Sequence, residues 1–280
     1  MEDLADAGYL ARLDAHYGAH NLDDRIRAAL RAAGKHEAPT IDDLAPLDQF
    51  HTGGKHATRQ LAERAGLHAG QSVLDAGGGI GGPARTLAAL YGCAVTVLDS
   101  TEAYCQAGAI LTALTGLSDR VTFRHGNALD MPFADGSFDV VWTQHATMNV
   151  DDKERLFAEA FRVLRPGGRL VLHEIMAGPV RPVHFPVPWA RDATMSYLRP
   201  AGEIRSLLAT TAFVEVVWDD VTASSLAWFE ARNGGPVPSG PSQLGLHLLL
   251  GPEFREMGQN MLRNLAEGRI AVVQAILDRR

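Results

Sequence analysis

Residues 75–82 read Asp-Ala-Gly-Gly-Gly-Ile-Gly-Gly and are the first stretch whose residue types and spacing could do chemistry. Gly77, Gly79 and Gly82 satisfy the spacing G-x-G-x-x-G. Such a turn lacks Cβ atoms and brings bare backbone and a helix N-terminus against a ligand. Asp75 separates the possible ligands. A carboxylate at the strand end repels a pyrophosphate lying there, but it suits a ligand that presents an ammonium group. Asp99 stands just over 20 residues beyond the loop, where a carboxylate can take both hydroxyls of a ribose. Proton-handling groups follow at Thr143-Gln144-His145, at Met148-Asn149 and at His173-Glu174. His145 and Glu174 are the leading candidates to accept a proton or hold a substrate, with Tyr17 a third.

Those residues need a scaffold, and the chain supplies one by alternation. Short apolar runs at 71–76, 94–98, 121–124, 139–144 and 169–175 are separated by helical periods at 83–91, 103–114 and 153–164. A helix at 202–210, a strand at 213–218, a helix at 253–267 and a strand at 270–277 complete the pattern. Strands separated by helices predict an α/β fold with a doubly wound, mostly parallel seven-stranded sheet, whose ligands sit at the strand C-terminal ends. His173 and Glu174 then fall on opposite faces of the fifth strand. Residues 1–68 read as a helical N-terminal cap, and 69–280 as the ligand-binding domain. Segment 179–200 contains Pro179, Pro182, Pro186, Pro188 and Pro200 together with Phe185, Trp189 and Tyr197, and reads as a lid or pocket wall; 222–267, a helical insert before the last strand, is expected to add a second lid.

From Asp75 to Gly81 the loop reads D-x-G-x-G-x-G, and in this it resembles the class I S-adenosylmethionine (SAM) methyltransferases. The resemblance extends in order through Asp99, Gly126-Asn127-Ala128, Phe138-Asp139-Val140-Val141-Trp142 and Leu164-Arg165-Pro166-Gly167-Gly168. Asn127 stands where this family usually has aspartate. The flank Leu47-Asp48-Gln49-Phe50-His51-Thr52-Gly53-Gly54 is similar to the entry segment of the sarcosine/dimethylglycine N-methyltransferase group, which is related to geranyl diphosphate C-methyltransferases and indole 3-C-methyltransferases. The resemblance implies a Rossmann-like fold, SAM as cofactor with S-adenosylhomocysteine as product, and a cofactor set of Gln49, Asp75, Gly77, Gly79, Asp99, Ser100, Asn127, Ala128 and Gln144. It also implies an acceptor pocket under the cap and lids, for which Tyr9, Phe50, His51, Asn149, Phe185, Trp189, Met195 and Tyr197 are the candidates. No metal ligand set is expected.

Composition narrows the partners. The chain has 280 residues, 28 of them glycine, and a net charge of −7. That charge argues against nucleic acid or an anionic membrane as partner, since either needs basic stripes. Two cysteines, Cys93 and Cys105, are too few for a disulfide framework, and no apolar run nears the roughly 20 residues that span a bilayer. With an acidic start that lacks a signal peptide's features, the chain reads as cytoplasmic. The apolar run at 244–250 is expected to form a homodimer surface or else pocket wall. The functional expectation is methyl transfer to a carbon or nitrogen of a small molecule, with an aromatic nitrogen-containing, indole-type natural-product precursor favoured. The alternatives are an amine N-methyltransferase of glycine-betaine type, a SAM-binding cyclase without transfer activity, and an NAD(P)-dependent oxidoreductase.

Overall fold

The structure is a computed structural model that describes Tyr17, residues 21–233 and residues 244–280. The expected strands are all present: β1 Ser72–Ala76, β2 Ala94–Asp99, β3 Val121–His125, β4 Phe138–Gln144, β5 Leu164–Ala177, β6 Phe213–Asp220 and β7 Ile270–Arg279. They form one sheet in the order β3-β2-β1-β4-β5-β7-β6. Strands β1 to β5 pair in parallel, and β7 runs antiparallel to β5 and β6. The order reverses between β1 and β4, which opens a crevice at their C-terminal ends. β5 starts earlier than its apolar run because Leu164 already pairs with Phe138 across the Arg165-Pro-Gly-Gly168 turn.

Among the described residues from 21 onward, three helices precede the sheet: α1 Leu22–Ala32, α2 Ile41–Asp48 and α3 Gly54–Arg64. The crossovers are α4 Gly82–Tyr91, α5 Glu102–Leu114, α6 Lys153–Val163 and α7 Ala201–Thr210. α8 Thr222–Asn233, α9 His247–Leu250 and α10 Phe254–Ala266 lie between β6 and β7. Strand alternation sorts the core into two layers. Val73, Val140, Trp142 and Val171 pack with Leu61 of α3 and Leu87 of α4, while Leu74, Val141 and Leu172 pack with Phe157 of α6 and Leu208 of α7. The insert before β7 is helical as expected, but only α10 is placed by its sequence pattern: α8 has its apolar residues spread around it and α9 spans a single turn.

The cap is bolted to the glycine loop. Asp48 at the end of α2 pairs with Arg85 of α4 at 2.8 Å, both fully buried, and Arg85 also donates to Thr112. Gly82, which opens α4, lies so close that a Cβ there would overlap the Asp48 carbonyl oxygen. Gly82→Ala is expected to overpack this joint at a cost of about 1–3 kcal/mol. Thermal unfolding should show Tm falling by several degrees; an unchanged Tm would mean that α2 gives way freely.

In the run at 244–250, Leu244 and Leu249 are buried against Leu22, Ile26 and Leu111 and Leu250 is buried as well, while residues 245–248 are half-buried. Among the described residues no helix is long and apolar enough to cross a membrane.

Candidate active site

The site is built where β1, β2 and β4 end. Past Ala76 the chain turns through Gly77, φ +74°, and Gly79, φ +56°. A side chain at Gly77 would strike Ala146, and one at Gly78 would strike the Asp75 carboxylate. The bare loop therefore folds directly over Asp75, which is 1% exposed. Asp75 Oδ2 is buried without a hydrogen-bond partner. Burial, reinforced by the charge of Asp99, pushes its carboxyl up to about 7. An orphaned buried carboxylate costs stability and calls for a donor or cation from outside the chain.

Asp99 is held in the opposite way. Its Oδ2 accepts from Gly79 N–H at 2.8 Å and its Oδ1 from Thr101 N–H at 2.9 Å. Each oxygen keeps a lone pair for two neighbouring hydroxyls. Burial nonetheless raises its pKa. Asp99 borders a cleft of about 800 Å³, open mouth included, walled by Gly77, Gly79, Ser100, Asn127, Ala128, Thr147 and Asn149 among others. Asn127 spends part of its amide oxygen on Leu129 N–H at 2.9 Å, so it caps its own loop as well as facing the cleft.

A second cavity, of about 850 Å³ with its mouth, lies against the first. Its wall is apolar and aromatic, with Trp189 from the proline-rich segment, Trp228 and Phe229 from α8, and Phe254 and Met261 from α10. Tyr17, Phe50 and His145 border both cavities, so any group passed from one to the other passes between them. A smaller recess joins Asp75 and the glycine loop to His51, Gln144 and His145.

The turn that carries His145 is clamped from two sides. His145 adopts φ +53°, a strained value for a residue with a Cβ. Glu174, 1% exposed, accepts from Thr143 Oγ1 at 2.6 Å, from the N–H groups of Ala146 and Thr147, and from Thr147 Oγ1. From the other side the buried Lys153 ammonium donates to the carbonyls of Thr147 and Val150 at 2.9 and 2.6 Å, and burial lowers its pKa to about 8. Asn149, on the same turn, accepts from Tyr17 OH at 2.8 Å and donates to the carbonyls of Trp189 and Met195. It thereby ties the cap and the proline-rich segment to the sheet.

Three histidines meet above the turn. The ring centroids of His145 and His173 are 4.9 Å apart, and those of His51 and His145 are 6.2 Å apart. Burial lowers the pKa of His51 to about 4, and burial together with the other rings holds His145 and His173 well below the usual histidine range. All three are neutral at physiological pH.

The sequence-based candidates divide accordingly. The structure gathers Tyr17, Phe50, His51, Asp75, Gly77, Gly79, Asp99, Ser100, Asn127, Ala128, Gln144, His145, Asn149 and Trp189 around the three connected spaces. It does not bring Glu174 to the lining of these spaces: the carboxylate accepts from Thr143, Ala146 and Thr147 beneath the cleft, an arrangement that holds the turn. Gln49 is also elsewhere, its amide nitrogen on Asp48 Oδ1 and near Thr86 Oγ1 behind the glycine loop. Phe185 and Met195 pack behind Trp189, and Tyr197 turns its hydroxyl to the Thr194 carbonyl, so none of the three borders the acceptor-side cavity. Segment 179–200 is in part core, because Val187, Trp189 and Ala190 are fully buried. Tyr9 lies outside the described residues. Sequence reasoning missed Tyr104, whose hydroxyl is buried without a partner beside Asp99, and Thr52, Trp228, Phe229 and Phe254. Thr52 follows the chosen Phe50 and His51 and gave no signal of its own; Trp228 and Phe229 come from a helix without clear periodicity, and Phe254 opens a helix whose buried stripe begins only at Met257.

The sheet order, the glycine turn over Asp75 and the Asp99 cleft have the form of the Rossmann-like fold of class I SAM-dependent methyltransferases. Residues 74–172 match the family described as a methyltransferase domain. The methyltransferase GfsG of Streptomyces halstedii is 36% identical over 134 residues, 48% of this chain and 48% of its own length. The glycine/sarcosine/dimethylglycine N-methyltransferase of Actinopolyspora halophila is 33% identical over 132 residues, 47% of this chain but 23% of its own length. The chain thus spans about half the length of GfsG, and less of the second relative. In fold it is similar to the geranyl diphosphate C-methyltransferase of Streptomyces coelicolor A3(2), crystallised with Mg2+, geranyl diphosphate and S-adenosyl-L-homocysteine, with TM-score 0.64 and 23% identity over 80% of this chain and 78% of that one.

Proposed function

We propose that the chain is a SAM-dependent methyltransferase whose acceptor is a small, largely apolar molecule. One observation carries the reading: the cleft beside Asp99 and the recess that reaches the orphaned Asp75 carboxylate both meet an aromatic cavity at Phe50 and His145. The residues fit the cofactor. Asp75 offers its unpartnered oxygen to an ammonium, Asp99 keeps a lone pair on each oxygen for a ribose diol, and Gly77 and Gly79 present bare backbone. When bound, SAM supplies an electrophilic methyl group on a sulfonium with a good leaving group. The protein's share is then to orient the acceptor and exclude water, which can supply much of the acceleration.

The ring-lined wall supports the aromatic nitrogen-containing acceptor expected from the sequence. The apolar lining speaks against a small zwitterionic amine, because such an acceptor needs charged partners here and Arg232 is the one charged side chain on the described wall. The helices of residues 22–64 and the segments at 179–200 and 222–267 serve as cap and lids in this reading. Incubation with methyl-labelled SAM and a panel of hydroxylated and nitrogen-containing aromatics should release S-adenosylhomocysteine and place the label on an acceptor. A protein that binds SAM yet labels no member of a broad panel, and instead converts an unsaturated precursor without consuming SAM, would be a cyclase of this fold.

A further inference from the structure

A line of buried polar groups runs beneath the acceptor cavity, and its direction is set from one end. The Trp142 indole can only donate, and its N–H reaches Gln144 Oε1 at 3.1 Å. Gln144 Oε1 also accepts from the Thr58 hydroxyl, which leaves Gln144 Nε2 facing His173 Nδ1 at 3.1 Å. An amide nitrogen offers only hydrogens, so His173 Nδ1 is the lone pair and Nε2 carries the proton. His173 Nε2–H donates to Thr52 Oγ1 at 3.2 Å, and the Ser225 hydroxyl donates to the same oxygen at 3.3 Å. With two donors already on its oxygen, Thr52 gives its own proton to His145 Nε2, 3.3 Å away. His145 therefore carries its proton on Nδ1.

His51 is set by a carbonyl. Gly54 O, 3.1 Å from His51 Nε2, can only accept, so Nε2 is protonated and Nδ1 is a lone pair. The Thr58 hydroxyl, 3.0 Å from the same nitrogen, accepts there while donating to Gln144. Among the described residues neither the Nδ1 of His51 nor that of His145 has a partner, and neither is sealed from the neighbouring space. Both rings border the acceptor cavity and the recess beneath it. The wall thus presents one imidazole donor and one imidazole acceptor side by side.

We infer that the acceptor molecule carries a hydroxyl on an apolar, ring-sized body, its oxygen accepting from His145 Nδ1–H and its O–H donating to His51 Nδ1. This deepens the methyltransferase reading and rests on it for the assignment of this cavity to the acceptor. One oxygen at ordinary hydrogen-bond distance from two nitrogens spans up to about 5.6 Å. Ring centroids 6.2 Å apart put the two imidazoles within reach of one bridging oxygen. An unsubstituted indole N–H supplies the donor half alone and an ether the acceptor half alone. Each leaves one buried imidazole nitrogen unpaired, and such losses discriminate strongly. A hydroxyl-bearing heteroaromatic meets both. Because both histidines stay neutral, the polarity persists through physiological pH.

Two measurements on the intact protein test this. Long-range proton–nitrogen NMR of 15N-histidine protein should show His145 protonated at Nδ1, and His51 and His173 protonated at Nε2. A lone pair on His145 Nδ1 overturns the inference outright, whatever any variant does. Calorimetry with 2-naphthol, 2-methoxynaphthalene and naphthalene as probes should then find 2-naphthol bound at least tenfold more tightly than the other two. Thr52→Val should erase that preference and Thr52→Ser restore it; equal affinities for the three probes in the wild-type protein overturn the inference. SAM is titrated into the same samples. SAM binding without a hydroxyl preference defeats the present inference alone, whereas a hydroxyl preference without SAM binding defeats the methyltransferase reading alone.

Discussion

Glu174→Ala is expected to lower the stability of the protein by about 3–5 kcal/mol, because four donors aimed at a buried carboxylate lose their acceptor together. Those donors are the hydroxyls of Thr143 and Thr147 and the N–H groups of Ala146 and Thr147. The nearby Lys153 ammonium would also lose the negative charge that favours its ionised form. For a chain of this size the loss corresponds to a Tm lower by roughly 5–9 °C. Glu174→Gln keeps one acceptor oxygen and should fall between. The outcome distinguishes two roles for one residue. A general base would leave Tm almost unchanged and lose turnover, whereas a clamp on the His145 turn loses folded protein first. Thermal unfolding alongside turnover at a temperature where the variant remains folded separates them.

The second large effect concerns Asp75. Asp75→Asn keeps the shape of the side chain and removes its charge, so the ammonium of SAM would meet a neutral amide in a dry site. Removing one partner of a buried charge pair costs about 2–5 kcal/mol, which is a loss of SAM affinity of roughly 30-fold or more. Stability should move the other way. The free protein at neutral pH carries an unpartnered buried carboxylate beside Asp99, and the neutral amide relieves that cost. Calorimetry for affinity and thermal unfolding for stability should therefore show weaker binding with an equal or higher Tm. A variant that binds SAM as the wild type does would remove Asp75 from the site.

Much of this was legible in the sequence because it rests on local rules. Alternating apolar runs such as Val73-Leu74 and Val140-Val141-Trp142 gave the strands, and the Asp75 to Gly82 loop with Asp99 at the next strand end gave the cleft. What stayed hidden depends on which face a residue meets after folding. Alternation put His173 and Glu174 on opposite faces of β5, but it did not say that the Glu174 face looks into a turn and the His173 face toward a ring cluster. Gln49 sits in a flank that resembles the family, yet the Asp48–Arg85 joint draws it behind the loop. The apolar wall of the second cavity comes largely from α8 and α10: α8 spreads its apolar residues around the helix, and the stripe of α10 does not say which space it faces.

The central claim, that the cleft is a SAM site whose ammonium partner is Asp75, is tested most directly by the pH dependence of SAM affinity. The ligand cation pairs with ionised Asp75, whose carboxyl in the free protein titrates near 7. Below that pH a proton must leave on binding, so affinity should fall about tenfold per pH unit as pH decreases from 7, with proton release visible as buffer-dependent heat. Above 7 the affinity should level, then decline once the amino group of the ligand itself loses its proton. Asp75→Asn should bind weakly and lose the acid-side slope. Absence of SAM binding in the wild-type protein, or an affinity flat from pH 5.5 to 7.5 and shared by the variant, would contradict the account.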